Sequence, residues 1–511
     1  MAKKAKETKL KKEKGGIPGE HACDLEGPGA APPRLVGWSS FVEAVRRSRY
    51  LQILLVLTVL GAFLRLYQLG TASLWLDEAS TLTFARQSVT QIWGSLSGGE
   101  FNPPLLYWLE HAMLAFGESE AVLRLIPAIL GILTIPAFYF IGVEILDRNT
   151  GILAATLLAF SPFQIFYSQE ARAYGPMLFF FSLAFIFFLR LLRSWGRKDA
   201  ILFGIFSAVA FWTHFYAFVP ILALFIFAFA LKARQIGKDL RSAVPLAISI
   251  LVFVILSLPL IYYAVQLFAL RSGGAPAFGI QGIATITQTI IQISGFSEIL
   301  AYAFTALFIV GVASLFLRNR TKALLLAFAF AFPLVVSVFL SYRMPMVPRY
   351  LIYLLPAFLP GVALSLKPAC SLFRSRNLVY GVLILALVIN LPVLYPYYTT
   401  QQKDDWRGVS RELTGLAAPG DLVVTLPGYI RQPLNYYYSN GTAGTLEFGL
   451  YRVEDVQAVI ASNPGHTIWF VVTGDIQATD PQGLVVAWLN QHTTRAWKDT
   501  NGGIYLLRYS G

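Results

Sequence analysis

The chain has 511 residues, of which 56% are hydrophobic and only 14% are charged, and its mean hydropathy is +0.59. So much apolar sequence excludes a water-soluble globular protein and indicates a polytopic α-helical membrane protein. The formal net charge of +13 does not indicate nucleic-acid binding, because lysine and arginine fall mostly in short segments between apolar runs, a pattern that orients membrane proteins. The two cysteines predict neither a disulfide framework nor a cysteine metal site.

The N-terminal part of the chain is basic and then becomes apolar. Residues 1–48 are rich in lysine, glycine and proline and end in an arginine cluster, which predicts a disordered cytoplasmic tail. The run from Leu51 to Leu69 is apolar apart from Arg65 and Gln68, and it is long enough to span a bilayer. No small-residue cleavage pattern follows it, so we predict an uncleaved membrane anchor.

The hydrophobicity falls over residues 70–120, which we predict to be the first external loop. Two adjacent carboxylates, Asp77 and Glu78, follow the anchor by a few residues, and charged groups there are expected at the membrane–water boundary. The alternative is that the pair only caps the next short helix. The segment from Asn102 to His111 predicts a helix that begins with proline and lies in the membrane interface.

Further apolar runs of spanning length follow the loop. Together with the anchor they predict about eleven membrane crossings within a membrane domain over residues 49–398. These runs lie at 121–144, 151–167, 174–193, 200–214, 216–231, 243–263, 297–317, 323–340, 350–366 and 378–394.

The orientation of the chain follows from the charges in its connections. If the N-terminal tail is cytoplasmic, alternate connections on that side contain most of the lysine and arginine, as the positive-inside rule requires. The opposite connections contain fewer positive charges and more acidic, aromatic and histidine residues. We therefore predict a multi-pass protein of the cell membrane whose functional side chains lie on the external face.

Beyond residue 398 the composition becomes that of a soluble protein. Strand-like runs occur at 421–426, 467–473 and 503–508, and helical or loop segments separate them. This pattern predicts a small external α/β domain over residues 399–511.

Other polar side chains in the predicted external connections are candidates for function, because each is costly to keep at a membrane. Glu170 and Arg172 lie between two predicted spans, where the alternative is a local ion pair within the loop. Arg349 precedes another span and has the planar geometry that suits a phosphate, although it could instead anchor the chain at the interface. His214 is more often a satisfied turn residue than a ligand.

The order of these features resembles a known family of membrane enzymes. The resemblance covers about the first 190 residues and extends weakly to Arg349-Tyr350-Leu351. The motifs that carry it are Ser73-Leu74-Trp75-Leu76-Asp77-Glu78, Asn102-Pro103-Pro104-Leu105-Leu106-Tyr107-Trp108-Leu109, Leu123-Arg124-Leu125-Ile126-Pro127 and Ser168-Gln169-Glu170-Ala171-Arg172-Ala173-Tyr174. With these motifs the chain resembles the polyprenyl-phosphate-sugar-dependent glycosyltransferases of the C-type membrane fold, which include protein O-mannosyltransferases, aminoarabinose transferases and rhizobial lipid A galacturonosyltransferase-like proteins.

This resemblance implies an acidic pair in the first external loop that supplies a base or a substrate contact, which corresponds to Asp77 and Glu78. Many relatives have histidine before the two prolines, where this chain has Asn102, so no role of that histidine is transferred. The expected reaction moves a sugar from a polyprenyl phosphate to a hydroxyl of a protein, glycolipid or glycan on the external face, with inversion. Membrane lipids are expected partners and nucleic acid is not.

Each candidate residue has an expected role in this reaction. Asp77 would be the general base, and Glu78 and Glu170 would orient hydroxyl groups. Arg172 and Arg349 would neutralise the departing phosphate, and His214 would contact substrate. Asp77 and Glu78 are also candidate ligands for a divalent metal, although two carboxylates alone do not specify one; no other cofactor is expected.

A transporter or lipid flippase is the alternative from another functional class. In such a protein the charged residues would line a path near mid-membrane, and the sequence would contain a repeated half-structure. The candidates here cluster at span ends and no internal repeat is evident, which favours the enzyme.

Overall fold

We describe a computed structural model of the chain, which covers residues 38–276, 278–373, 377–400, 403–438, 448–449, 452–474, 476–499 and 503–510. Most of the predicted basic tail lies outside these residues. Its last part was predicted to be disordered, and this is wrong for Trp38–Arg47, which form helix α1. Helix α2 follows over Arg49–Leu66 and confirms the predicted anchor as a helix of spanning length.

In the described part of the chain, eight helical segments are long and apolar enough to cross a membrane. They support the prediction of a multi-pass membrane protein. They lie at Arg49–Leu66, Glu120–Ile145, Tyr174–Ser194, Phe215–Ile236, Leu240–Arg271, Glu298–Arg318, Arg320–Leu340 and Pro348–Leu366.

The predicted count of about eleven crossings is not confirmed. The run at 151–167 is divided into two helices that meet at 61° and count as at most one further span. The run at 200–214 forms a helix of only 17 residues. That helix ends at Thr213, and the backbone becomes extended at His214. The sequence count therefore treated one interrupted apolar run as two complete spans.

The membrane domain contains these helices in chain order. Several of the long ones begin with short 3₁₀ turns. The helices are α6 (Glu120–Ile145), α7 (Arg148–Ala159), α8 (Pro162–Ser168), α9 (Tyr174–Ser194), α10 (Arg197–Thr213), α11 (Phe218–Ile236), α12 (Val244–Arg271), α13 (Ala284–Ile293), α14 (Glu298–Arg318), α15 (Arg320–Leu340), α16 (Leu355–Phe373) and α17 (Asn377–Thr399).

A buried arginine stabilises the break between α7 and α8. Carbonyl groups at the end of a helix need hydrogen-bond donors, and the membrane interior supplies no water for this purpose. Arg65 of α2 is 0% exposed, and its guanidinium donates to the carbonyl oxygens of Leu158 and Ala159, each at 3.1 Å. Its Nε also donates to Gln164 Oε1 at 2.8 Å. The charge therefore supports the helix break that precedes the loop containing Glu170.

Three short helices occupy the predicted first loop. They are α3 (Leu76–Ala85), α4 (Val89–Ser95) and α5 (Leu105–Met113). The last confirms the helix predicted after the two prolines, with Pro104 at its N-cap. That these helices lie in the membrane interface stays a prediction.

The C-terminal part is an α/β domain, as predicted. Its sheet has five strands in the order β2-β1-β3-β5-β4. The β1 strand pairs in parallel with β2 and β3, whereas β5 pairs antiparallel with β3 and β4. The elements are α18 (Trp406–Leu416), β1 (Leu422–Leu426), α19 (Arg431–Tyr437), β2 (Phe448–Gly449), α20 (Val453–Ser462), β3 (Thr467–Thr473), α21 (Ile476–Thr479), α22 (Leu484–His492), β4 (Thr494–Lys498) and β5 (Ile504–Ser510).

The central strands of this sheet are buried on both faces. Val424 and Phe470 pack into one hydrophobic cluster, and their neighbours Val423 and Trp469 pack into another on the opposite face. This explains why β1 and β3 are continuous apolar runs that the sequence reveals easily. The β4 strand was missed because it lies at the sheet edge and most of its residues are exposed.

Close contact between α14 and α16 leads to a test of the membrane packing. A Cβ atom at Gly311 would lie 1.9 Å from the carbonyl oxygen of Gly361, which forces the two helices apart. We expect Gly311→Ala to destabilise the protein by about 1–3 kcal/mol or more and to lower its thermal midpoint. In Gly381→Ala the new Cβ meets no atom within 4 Å, so this helical control should be neutral or slightly stabilising. Equal thermal midpoints for the two variants would contradict the packing described.

Candidate active site

Helix α3 directs its two adjacent carboxylates into different environments. Consecutive helical residues point about 100° apart, so Asp77 and Glu78 cannot face the same space. The Glu78 side chain is 0% exposed, whereas that of Asp77 is 27% exposed. The pair that the sequence presents as one unit is therefore divided by the helix geometry.

Glu78 is held by a group of buried donors. Arg124 of α6 binds it with two parallel hydrogen bonds, Nε to Oε1 and Nη2 to Oε2, both at 2.7 Å. Lys403 donates to Oε2 from 3.0 Å, and the backbone N–H of Ala171 donates to Oε1 from 3.0 Å. Both oxygens thus have protein partners from distant parts of the chain.

These partners keep Glu78 ionised. Burial alone would raise the pKa of this carboxyl, but the charges of Arg124 and Lys403 and the hydrogen bonds from Arg124 and Ala171 lower its pKa to about 2. The backbone N–H of Trp75 also lies 3.4 Å from Oε2, which gives Glu78 part of the capping role considered for the pair. This geometry argues against the predicted contact of Glu78 with an acceptor and indicates that it stabilises the site instead.

The carboxylate of Asp77 lies close to the guanidinium groups of two arginines that the sequence named as candidate site residues. Nη2 of Arg349 lies 3.5 Å from Asp77 Oδ2, and Nη2 of Arg172 lies 3.8 Å from the same oxygen. Arg172 also donates to the Asp77 carbonyl oxygen and to Thr81 Oγ1, each at 3.2 Å. Three residues that are far apart in the sequence therefore form one charged cluster. Arg172 pairs with Asp77 and not with Glu170, so the alternative of a local loop ion pair is wrong.

Aromatic rings surround the Arg349 guanidinium. It lies 5.4 Å from the ring centre of Trp75 and 5.8 Å from that of Tyr174, distances at which a cation is attracted to an aromatic face. Its Nε also donates to the Tyr174 hydroxyl at 3.1 Å. Such fixed contacts favour a binding role for Arg349 over that of an interfacial anchor.

Glu170 lies in the loop before α9 and is 2% exposed. Its Oε2 atom has no hydrogen-bond partner among the described residues. Burial raises the pKa of Glu170 to about 7, while the positive charge of Lys403 acts in the opposite direction. A buried carboxyl with an unused oxygen and a pKa near neutrality is a candidate for a role in function.

His214 borders the same cluster. Burial and the charges of Arg172 and Arg349 lower the pKa of His214 to about 3, so the imidazole is neutral. Its Nδ1 accepts a hydrogen bond from the backbone N–H of Tyr216 at 3.2 Å, as expected for a turn residue. Its ring lies 5.2 Å from that of Tyr350. The predicted substrate contact of His214 stays a prediction.

The residues present do not fit a divalent metal at Asp77 and Glu78. Two guanidinium groups face Asp77, and the Glu78 oxygens accept hydrogen bonds from Arg124, Lys403 and Ala171. Hard cations need several free oxygen ligands. Among the residues that the structure describes, no group of three or more His, Cys, Asp or Glu side chains could hold a metal ion.

Comparisons with known proteins agree with this architecture. A family model described as dolichyl-phosphate-mannose-protein mannosyltransferase matches residues 102–263. The crystal structure of ArnT from Cupriavidus metallidurans bound to undecaprenyl phosphate matches with a TM-score of 0.56 at 13% identity, over 90% of this chain and 97% of that chain. The chain has the C-type glycosyltransferase fold.

A second relative of known structure has the same fold. The oligosaccharyltransferase AglB from Archaeoglobus fulgidus, in complex with an inhibitory peptide and a dolichol-phosphate, matches with a TM-score of 0.52 at 14% identity, over 90% of this chain and 74% of that chain. No curated protein matches the sequence. The family match and the fold confirm the resemblance and the predicted class, a membrane glycosyltransferase, and they do not favour the transporter.

Sequence reasoning missed two cations of this site. Arg124 interrupts an otherwise apolar run and lies within one of the motifs quoted above, and a charge in such a run is itself a signal of function. Lys403 has no comparable signal, because a single lysine in a polar segment is unremarkable. Only the fold brings it beside Glu78.

The buried cluster around Glu78 predicts a large stability effect. Glu78→Gln leaves Arg124 and Lys403 without their carboxylate, so we expect a loss of about 3–5 kcal/mol in the free energy of unfolding and a much lower thermal midpoint in detergent. The matched control is Glu118→Gln, which removes an ion pair with Arg86 in which both side chains are more than 40% exposed. The control should lose less than about 1 kcal/mol. A Glu78→Gln protein as stable as the control would show that the cluster is not structural.

Proposed function

We propose that this protein transfers a sugar from a polyprenyl monophosphate to an acceptor hydroxyl on the external face of the membrane, with inversion at the anomeric carbon. The observation that carries the proposal is the convergence of Arg172 and Arg349 on Asp77. It combines a carboxylate that can accept a proton with two cations that can bind a phosphate.

The chemistry of the relatives supports a lipid-phosphate donor. ArnT from Cupriavidus metallidurans was crystallised with undecaprenyl phosphate, and AglB from Archaeoglobus fulgidus contains a dolichol-phosphate and an inhibitory peptide. Polyprenyl phosphate is a good leaving group, so the reaction needs no nucleotide and no covalent enzyme intermediate.

In the proposed step the acceptor oxygen attacks the anomeric carbon from the face opposite the phosphate. Asp77 takes the hydroxyl proton as the new carbon–oxygen bond forms. The bond between the anomeric carbon and the phosphate oxygen breaks, and its electron pair leaves with the polyprenyl phosphate. A single displacement of this kind inverts the configuration at the anomeric carbon.

Arg172 and Arg349 bind the departing phosphate in this proposal. Their distances of 3.8 and 3.5 Å to Asp77 Oδ2 exceed those of good hydrogen bonds, and Nε of Arg172 has no partner among the described residues. Guanidinium donors are therefore available to a ligand. Because Trp75 and Tyr174 hold Arg349 in place, little reorganisation is needed as charge develops.

Glu170 and His214 complete the proposed site. Glu170 accepts a hydrogen bond from a hydroxyl of the sugar or acceptor through its free Oε2 atom. His214 contacts substrate as a neutral ring, since the nearby arginines disfavour its protonation. Glu78 is assigned a positioning role, in place of the acceptor contact expected from the sequence, and no step is assigned to a metal.

The direct test of this function uses the purified protein with a panel of radiolabelled polyprenyl-phosphate sugars and membrane extract. Label should appear in an acceptor for at least one donor, and its anomeric configuration should be opposite to that of the donor. Retained configuration would contradict the single displacement. Absence of transfer from every donor in the panel would contradict the proposed function.

The role of Asp77 predicts a large loss of rate in Asp77→Asn. The change removes the basic oxygen and keeps nearly the same shape, so single-turnover transfer should slow by about a hundredfold or more. Polyprenyl phosphate binding should survive, because both arginines are retained and lose an opposing charge, and the thermal midpoint should change little. The matched control is Asp239→Asn, because Asp239 caps a short helix through its side chain and asparagine caps about equally well. If well-folded Asp77→Asn transfers at the wild-type rate, Asp77 is not the base.

The proposed orientation predicts opposite accessibility at two exposed serines. With Cys23 and Cys370 replaced, Ser97→Cys in the first loop should react with an impermeant maleimide added to intact cells. Ser194→Cys, at the end of α9, should react only after the cells are permeabilised. The measurement is the mass shift of the labelled protein. The reverse pattern would put the N-terminal tail outside and the active site on the cytoplasmic face.

A further inference from the structure

Lys403 reaches the active site from the segment that connects the membrane domain to the C-terminal domain. It lies between α17 and α18, yet its Nζ is 3.0 Å from Glu78 Oε2. Its side chain is 10% exposed. A buried ammonium is costly unless carboxylates surround it, so its position beside Glu78 needs a physical reason.

Docking of the C-terminal domain fixes the position of this lysine. Arg407 of α18 donates to Glu120 Oε1 at 3.1 Å and to the carbonyl oxygen of Thr71 at 2.7 Å. The Tyr437 hydroxyl of α19 donates to Glu120 at 2.7 Å and accepts from the backbone N–H of Leu74 at 2.7 Å. These bonds attach the domain to both sides of the turn that leads into α3. Lys403 therefore enters the site as part of a docked domain.

Lys403 binds one carboxylate directly and acts electrostatically on a second. Glu78 accepts its hydrogen bond, and Glu170 also feels its charge. Arg124 already neutralises Glu78 with two hydrogen bonds, so Glu78 alone does not require a second cation. The charges balance when Arg124 and Lys403 face both Glu78 and Glu170 in ionised form.

Glu170 has further titratable neighbours. Asp77 and Glu78 disfavour its ionised form, whereas Arg349 and Lys403 favour it, and the opposing charges partly cancel. Two tyrosines also interact with it but stay neutral near pH 7. Among the described residues, the titratable groups that interact most strongly with Glu170 include Asp77, Glu78, Tyr167, Arg349, Tyr397 and Lys403.

We propose that Lys403 is a positioning residue through which the docked C-terminal domain completes the transfer site, holding Glu78 beside Arg124 and favouring the ionised form of Glu170. The inference rests on the proposed function, because ionised Glu170 matters only if it orients a substrate hydroxyl. It assigns a role to the C-terminal domain: the domain supplies a second positive charge beside Glu78, in addition to that of Arg124. The position of α3, through Glu78, and the ionisation of Glu170 then both depend on Lys403.

The test compares Lys403→Met, which removes the charge, with Lys403→Arg, which retains it. A carboxyl that loses a nearby cation has a higher pKa. The midpoint of the acidic limb of the kcat profile for sugar transfer should therefore move to higher pH by about one unit or more in Lys403→Met. Lys403→Arg should keep the wild-type midpoint, and the KM for the donor should change little in either variant. A merely structural lysine would lower the amount of active protein without moving this midpoint.

Glu170→Gln isolates the coupling between the two residues. In this background the acidic limb that Glu170 causes should disappear, and adding Lys403→Met should cause no further shift. Lys498→Met is the control, because Lys498 lies on β4 of the same domain and its ammonium is close to the Tyr505 ring, away from the site. It should behave like the wild type. An unshifted midpoint in Lys403→Met, or an equal shift in the Glu170→Gln background, would overturn the inference.

Stability provides a second measurement that needs no activity. Because the pKa of Glu170 is raised in the folded protein, its ionisation opposes folding, and stability falls as pH rises from the ordinary carboxyl pKa through the raised value. In Lys403→Met this fall should extend to higher pH than in the wild type, and Glu170→Gln should abolish the difference. If the wild type transfers no sugar, the proposed function is contradicted. The pH dependence of stability still tests the coupling between Lys403 and Glu170 in that case. Identical thermal midpoints across pH for Lys403→Met and the wild type would overturn the coupling itself.

Discussion

The ion pair between Glu78 and Arg124 is completely buried and connects parts of the chain that are remote in sequence. Glu78 lies in the first turn of α3, and Arg124 lies in α6. The backbone N–H of Ala171 connects the loop before α9 to Glu78, and Lys403 connects the C-terminal domain to the same carboxylate. Because a buried charge without its partner costs several kcal/mol, these four elements have one favourable arrangement relative to each other. The position of the active site depends on that arrangement.

This cluster lets the neighbouring carboxylate have a different function. Glu78 has its hydrogen-bonding capacity filled by protein donors, whereas Asp77 is partly exposed and meets its arginines only at 3.5 and 3.8 Å. The helix that binds one carboxylate tightly presents the other to ligand. A buried carboxylate that fixes the helix can thus keep the adjacent, partly exposed carboxylate preorganised.

The sequence predicted the general architecture because burial leaves a strong periodic signal. Apolar runs of spanning length gave most of the membrane helices, and β1 and β3 were found because they are apolar on both faces. The span count was less accurate, since the α7–α8 break depends on Arg65 from another helix and the 17-residue α10 ends at a histidine turn. Such interruptions come from tertiary contacts that local hydrophobicity does not record.

Sequence reasoning named several residues of the candidate site but did not predict how they pair. Asp77, Arg172 and Arg349 were named because charges at span ends are costly, and the fold brings them together. Sequence reasoning expected Glu78 to orient hydroxyl groups beside the base Asp77, whereas the helical rotation between them points Glu78 at the buried donors Arg124, Lys403 and Ala171. Arg124 was visible as a charge in an apolar run, whereas Lys403 could be found only from the docking of α18 and α19, which no local pattern encodes.

The balance of charge at Asp77 fits the direction in which charge moves during the proposed transfer. A sugar linked through a phosphodiester carries one negative charge, and the released phosphate monoester carries nearly two near neutral pH. Arg172 and Arg349 both face the carboxylate of Asp77, and Arg349 also feels the charge of Glu170. As Asp77 takes the acceptor proton, its own negative charge is neutralised, and the arginines become more available to the leaving group. Their interaction with the ligand is therefore stronger in the transition state than in the bound donor, which is the condition for lowering the barrier.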